Sequence, residues 1–231
     1  MNGTRQVRPG LVIVVVLMLM LVPAVAWSQE AAPAVESVDV VITMGADGRD
    51  LVEATYRVAN TGGLEGGVVD HLLVARPGVS VDGIEAAGDV DGQPVREDAP
   101  GIAHVKVPVT GDPATYTLTY TVTREQGAFA VPVLVPAINV ASSQRNVTIR
   151  ALLPEGLRLA GEAFPAVVDT STEGGRTALS FRTINVPAVV IAEYGDRNRF
   201  TLSDVTSVVG LIAAVALVIL WNRLVMRGES G

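Results

Sequence analysis

The sequence predicts an all-β protein: an antiparallel β-sandwich ectodomain of about nine or ten short strands, followed by one C-terminal transmembrane α-helix. Three observations predict it. From Val35 onward, apolar and polar residues alternate with period two, which gives each strand one buried face. Turn signals rich in Gly, Pro and Asp separate these runs about every 8 to 12 residues, the spacing of a sandwich. Near the C-terminus, Val205 to Asn222 carries no charge; Asp204 and Arg223 bound it, leaving 222 − 204 = 18 residues. At about 1.5 Å per helical residue that is roughly 27 Å, against a hydrocarbon core of about 30 Å.

Composition narrows the function classes. The 231 residues leave room for one large domain or two small ones once targeting segments are set aside. Gln29 to Asp204 holds 23 of the 24 acidic residues and 13 of the 17 basic ones, a net charge of 13 − 23 = −10. Such a surface argues against nucleic acid and against docking on anionic headgroups, and it suits solubility. There is no cysteine, which excludes a thiol enzyme, an iron–sulfur protein and a cysteine-lipidated protein. Sixteen of the seventeen basic residues are Arg, the codon bias of a GC-rich, bacterial coding sequence.

At the N-terminus, Arg5 and Arg8 precede an apolar run from Leu11 to Val22, which Pro23 ends. Ala24 with Ala26, or Ala26 with Ser28, would suit cleavage before Trp27 or Gln29. Residues 1–28 therefore read as a secretory signal peptide. An uncleaved anchor is the alternative, opposed by Pro23 and the small residues after it. Residues 29–34 read as a disordered Ala/Pro spacer.

The ectodomain is assigned to residues 35–195. Val38, Val40, Ile42 and Met44 alternate with polar neighbours, Gly45 to Gly48 turns the chain, and Val52, Ala54, Tyr56 and Val58 alternate in return. This is a β-hairpin. Asn60 to Gly67 is a glycine-rich loop, and Val68 to Ala75 a third strand closed by Pro77-Gly78. Val79 to Pro100 is irregular and acidic, with a short strand over Val79 to Ile84 and another opening at Val90. Ala103 to Val109 alternates again. Thr115 to Thr123 is the clearest strand: Tyr116, Leu118, Tyr120 and Val122 on the dry face, five threonines on the wet one. It should be central.

Phe129 to Val135 carries Pro132, with Pro136 beyond, and so belongs on an edge or in an extended segment. Val147 to Leu153, Leu157 to Leu159, Leu179 to Thr183 and Ala188 to Tyr194 complete the strands. The sum is a sandwich of immunoglobulin-like general character, with two smaller sandwiches divided near Gln126 or Ala141 as the alternative.

Residues 196–204 read as a short stalk, with Ser203 or Asp204 capping the membrane helix over 205–222. The anchor residues are Val205, Gly210, Ala214, Leu220, Trp221 and Arg223; Gly210 and Ala214 are also the small pair that would support a weak homodimer. Arg223 and Arg227 face Arg197 and Arg199 across the span, so charge alone leaves orientation tied. The signal peptide resolves it, with the β domain outside the plasma membrane and the 223–231 tail in the cytoplasm.

The sequence holds no nucleophile elbow, zinc-binding helix motif, P-loop or dinucleotide fingerprint. His71 and His104, the two histidines, fall on different strands and read as surface or half-buried residues rather than ligands. Ser142, Ser143 and Ser171 lack a base partner. Asp89 and Asp91 begin like a calcium loop, but Gln93 and Pro94 break the pattern, so they remain weak metal candidates in an Asp-Gly turn. Asn146-Val147-Thr148 is a glycosylation sequon within a strand and is discounted. No catalytic residue and no cofactor is assigned. The leading expectation is a non-enzymatic, membrane-anchored module of a bacterial cell envelope, contacting the lipid bilayer and an envelope or membrane protein partner but no nucleic acid. Pro132 marks an edge where a partner strand could add. A ligand- or glycan-binding ectodomain is the alternative, weakened by the scarcity of exposed aromatics; a hydrolase on a β scaffold ranks third.

Overall fold

The computed structural model describes residues 31–125, 127–140, 146–196, 206 and 209–219. Fifteen strands build the β domain. In chain order they are β1 (Ala34–Thr43), β2 (Arg49–Ala59), β3 (Val68–Val74), β4 (Val79–Gly88), β5 (Val95–Ala99), β6 (Ile102–Pro108), β7 (Ala114–Arg124) and β8 (Ala130–Pro132). They continue with β9 (Val135–Pro136), β10 (Asn139–Val140), β11 (Val147–Leu152), β12 (Arg158–Phe164), β13 (Val167–Glu173), β14 (Arg176–Thr183) and β15 (Val189–Gly195).

One layer is a wide sheet in the order β13-β14-β11-β1-β2-β7-β4, with β10 added beside β1. The other layer is made of two small sheets, β5-β6-β3-β9 and β12-β15-β8. One cluster of buried side chains, from Val35 in β1 to Ala192 in β15, fills the space between them. A division near Gln126 or Ala141 would cut through the wide sheet, so the β domain is one unit rather than two sandwiches.

Several expectations need correction. The strand count rises from nine or ten to fifteen. The pairing is not wholly antiparallel, because β1 runs parallel to β11 and β10. The long excursion between β1 and β11 supplies the crossover that parallel neighbours require. Unequal sheets, one wide and two small, also depart from the immunoglobulin pattern of two comparable sheets. Ala34, placed in the spacer, opens β1.

The C-terminal expectation fails on length. The described helix covers residues 209–219, about 16 Å at 1.5 Å per residue and far short of a bilayer core. No helix among the described residues is long and apolar enough to cross a membrane. Absence of charge over 205–222 set only an upper bound on a span, not the length of a helix. The transmembrane helix is therefore not supported, and the membrane-anchored, cell-envelope module that depended on it goes with it. Gly210 and Ala214 lie on this short helix; Val205, Leu220, Trp221 and Arg223 lie outside the described residues, as do residues 1–28, 197–204 and 223–231.

The core follows from alternation. Val52, Ala54, Tyr56 and Val58 of β2 and Tyr116, Leu118, Tyr120 and Val122 of β7 all point inward and are buried. β7 is central, hydrogen-bonded to β2 on one side and β4 on the other. Its tyrosines reach across the layer. Tyr120 Oη donates to the Pro132 carbonyl at 3.1 Å, and Tyr56 Oη donates to the Leu134 carbonyl at 2.6 Å. The Pro-rich segment, poor in ladder donors, is thus held by phenols, and it links β8 in one small sheet to β9 in the other.

The same parity buries an ion pair. Asp50 of β2 and Arg124 of β7 keep step with the inward residues, and Arg124 Nη2 donates to Asp50 Oδ1 at 2.8 Å. Arg124 Nε donates to Asp50 Oδ2, Nη1 reaches the Ala128 carbonyl and Nη2 also reaches Tyr194 Oη, while Asp50 Oδ1 also accepts the Gly45 amide. Burial opposes the charge on Arg124, but the Asp50 and Tyr194 hydrogen bonds outweigh it and hold the guanidinium above its ordinary pKa.

Removing one partner of this pair strands a charge in the interior. Asp50→Ala is expected to lower the unfolding free energy by about 3–5 kcal/mol. Tyr120→Phe, which leaves the Pro132 carbonyl unpaired, should cost about 1–3 kcal/mol. Urea midpoints of the two variants check both values, and a smaller loss for Asp50→Ala than for Tyr120→Phe would contradict the ranking.

Candidate functional site

The wide sheet ends at β4 and the four-stranded sheet at β5, and these two free edges face each other across a cleft. Local sequence explains the opening. After β3, the amide of Val79 bonds the Arg76 carbonyl in a tight turn that leaves Arg76 at the mouth. β4 then pairs with β7, but its register shifts between Asp82 and Glu85, around Gly83 with φ +64°. At Gly88 the chain leaves the wide sheet. Its φ is +103°, and a Cβ there would lie 2.6 Å from the Thr115 carbonyl oxygen, so the crossing requires glycine. Val90 bridges to Val109, and the Asp91 amide bonds the Pro108 carbonyl in the other layer.

The cavity within the cleft measures about 240 Å³. Leu73, Val81, Ala103 and Pro132 are buried and form its floor. Arg76, Asp82, Arg96 and Asp98 stand at its exposed rim. Arg96 spans the gap: Nη1 donates to the Val81 carbonyl of β4 at 2.6 Å, and Nε donates to Asp98 Oδ1 at 2.8 Å. The Arg76 side chain makes no hydrogen bond or ion pair among the described residues.

Among the residues singled out from sequence, Asp89 serves the crossing itself, its Oδ2 accepting the Thr115 amide at 2.9 Å. Asp91 contributes a backbone bond, and no group of three or more metal-ligating residues occurs among the described residues. Ser171 lies on exposed β13; Ser142 and Ser143 are outside the described residues.

The histidines separate onto opposite faces, because the register sets His71 against Val105 and Leu72 against His104. His104 is half-exposed, with Nδ1 and Asp70 Oδ2 2.8 Å apart on the outer face. His71 corrects the sequence expectation: it is fully buried, wedged edge-on against Tyr56 and Tyr116. Tyr116 Oη lies 3.1 Å from its Nε2, while Nδ1 meets no hydrogen-bond partner among the described residues. Burial is the largest influence on the imidazole and pushes it down to about 4; the Val69 and Val105 backbone and Asp70 pull it back only in part. The ring is packed in the interior between the two tyrosines. The cleft itself, with Arg76 and Arg96, went unread in the sequence; the glycines at 83 and 88 were its one available signal.

No protein-family model matches the sequence, and no curated protein matches it either. Solved structures with some likeness include an M1 zinc metallopeptidase from Deinococcus radiodurans, 15% identical, with a TM-score of 0.38 over 70% of this chain and 42% of that one. Native yeast LTA4 hydrolase is 12% identical, with a TM-score of 0.42 over 70% of this chain and 29% of that one. A putative protease from Parabacteroides distasonis is 17% identical, with a TM-score of 0.36 over 68% and 37%. The chain spans less than half the length of each, and likenesses this slight carry no functional argument.

The His71 geometry sets a pH dependence. An unfolded histidine protonates below about 6.5, whereas the buried one resists until about 4, so the unfolded state binds more protons between those values. Stability is therefore expected to fall as pH drops from 6.5 to 4, by about 3 kcal/mol in total from this residue. Urea unfolding at half-unit pH steps measures it. His71→Gln should flatten that window, and an unchanged slope in the variant would remove His71 as its source.

Proposed function

We propose that the β domain is a non-catalytic binding module whose ligand seat is the cleft between β4 and β5. One observation carries the reading: an apolar-floored cavity of about 240 Å³ opens between two strand edges that no other strand covers among the described residues. Concave apolar surface with a few converging polar groups is what ligand seats have in common. The rim supplies those groups, a guanidinium at Arg76 and the Arg96–Asp98 pair. They are arranged as charges on a lip, not as a nucleophile held against a base, which favours recognition over chemistry. The domain carries a large excess of acid, whereas at this mouth Arg76 and Arg96 balance Asp82 and Asp98.

The test uses the full chain and 8-anilinonaphthalene-1-sulfonate, an apolar anion matched to an apolar floor and to the Arg76 guanidinium at the rim. Saturable one-to-one binding is expected, with amide shifts confined to β4, β5 and the start of β6. Ile102→Glu sets a like charge at the half-exposed rim and should weaken binding at least tenfold. Dye spread over several surfaces, or indifference to Ile102→Glu, would sink the reading.

A further inference from the structure

Resting on that reading, we infer that the occupant of the cleft is an extended polypeptide segment. It adds as a strand to the free edge of β4, seats one apolar side chain in the cavity and sets one carboxylate against Arg76.

Three features of the cleft lead there. The first is size. About 240 Å³ is below the usual range for a drug-sized molecule and suits one large side chain or two small ones. The second is the edge. β4 is paired along one side with β7 from Val79 to Gly88, and its other side ends the sheet. The Val81 carbonyl must point into the cleft, since it accepts Arg96 Nη1 from the opposite layer. A strand amide arriving at β4 takes that acceptor, and the displaced guanidinium keeps its bond to Asp98. Main-chain bonds to an edge supply affinity in such additions, and a pocket for alternate side chains supplies selectivity. The third feature is charge. Arg96 already has its carboxylate; Arg76, exposed beside it, has none among the described residues. A charge-assisted bond from a ligand carboxylate completes the rim. In a strand, residues two apart lie on the same face about 6.6 Å from each other, so the apolar and acidic positions should be two residues apart.

A library of random ten-residue peptides, panned on the immobilised full-length protein, tests this. Selected peptides should carry an apolar residue with Asp or Glu two positions away, and should displace the bound dye. N-methylating the amides on one edge of a selected peptide should weaken binding at least tenfold, while methylating the alternate set should not. Arg76→Ala should cost about tenfold for the acidic peptide and nothing for its Asn or Gln counterpart. If the dye binds in the cleft but no selected peptide displaces it, or if binding ignores N-methylation, the inference falls and the binding-module reading stands. If neither dye nor peptide binds there, both fall.

Discussion

Polar atoms sealed between two apolar layers fix how those layers meet. Tyr56 and Tyr120, in the neighbouring strands β2 and β7 of the wide sheet, each carry a hydroxyl that water cannot reach. Burial pushes both phenols up, so they stay neutral donors and must find acceptors. They find the carbonyls of Leu134 and Pro132. A segment that proline disqualifies from the middle of a sheet is thereby pinned to the core by side chains. That segment joins β8 to β9, so the phenols also set the relation of the two small sheets. Sliding one layer by a residue would leave hydroxyls and carbonyls unpaired in the interior, at a cost of a few kcal/mol spread over both bonds.

The interior ion pair extends the same logic toward the cleft. Arg124 is held at the end of β7 by Asp50, the Ala128 carbonyl and Tyr194. The next residue, Glu125, donates its amide to the Gly78 carbonyl at 2.8 Å. Gly78 belongs to the turn that presents Arg76 at the mouth. A rigid anchor in the core thus fixes the place where a rim cation emerges, so that little side-chain and loop ordering is left for binding to supply.

Legibility in the sequence followed burial. The β1–β2 hairpin and β7 were readable because one face of each is dry and the other wet. β5, with every residue exposed, and β13, nearly so, show no alternation because neither face is buried. Asp50, His71 and Arg124 were within reach, since each keeps phase with a run of inward apolar residues; parity overrides residue type in a strand. The helix expectation failed for a different reason. Lack of charge says that a stretch tolerates lipid, but it does not fix the length of a helix. Only the glycines at 83 and 88 hinted at the cleft, because it arises where Gly88 hands the chain from one layer to the other, and strand periodicity is silent about which sheet a strand joins.

An uncovered sheet edge is ordinarily a hazard, and the two edges at the cleft show how that hazard is managed. β4 is bent by the irregularity at Gly83 and bears Asp82 and Glu85, devices that discourage indiscriminate pairing. Arg96 goes further and occupies the Val81 acceptor outright. Such a plug has a graded effect. Because Arg96 is about two-fifths exposed and already shared with Asp98, its bond to Val81 is worth only about 1 kcal/mol net. A chance strand that gains one or two backbone bonds barely exceeds that, and gains nothing from the cavity. A segment that also buries an apolar side chain adds roughly 1.5–3 kcal/mol, and its carboxylate on Arg76 adds more. Guarding and recognition are then the same interaction at two strengths, and the cavity beneath Arg96 decides which one prevails.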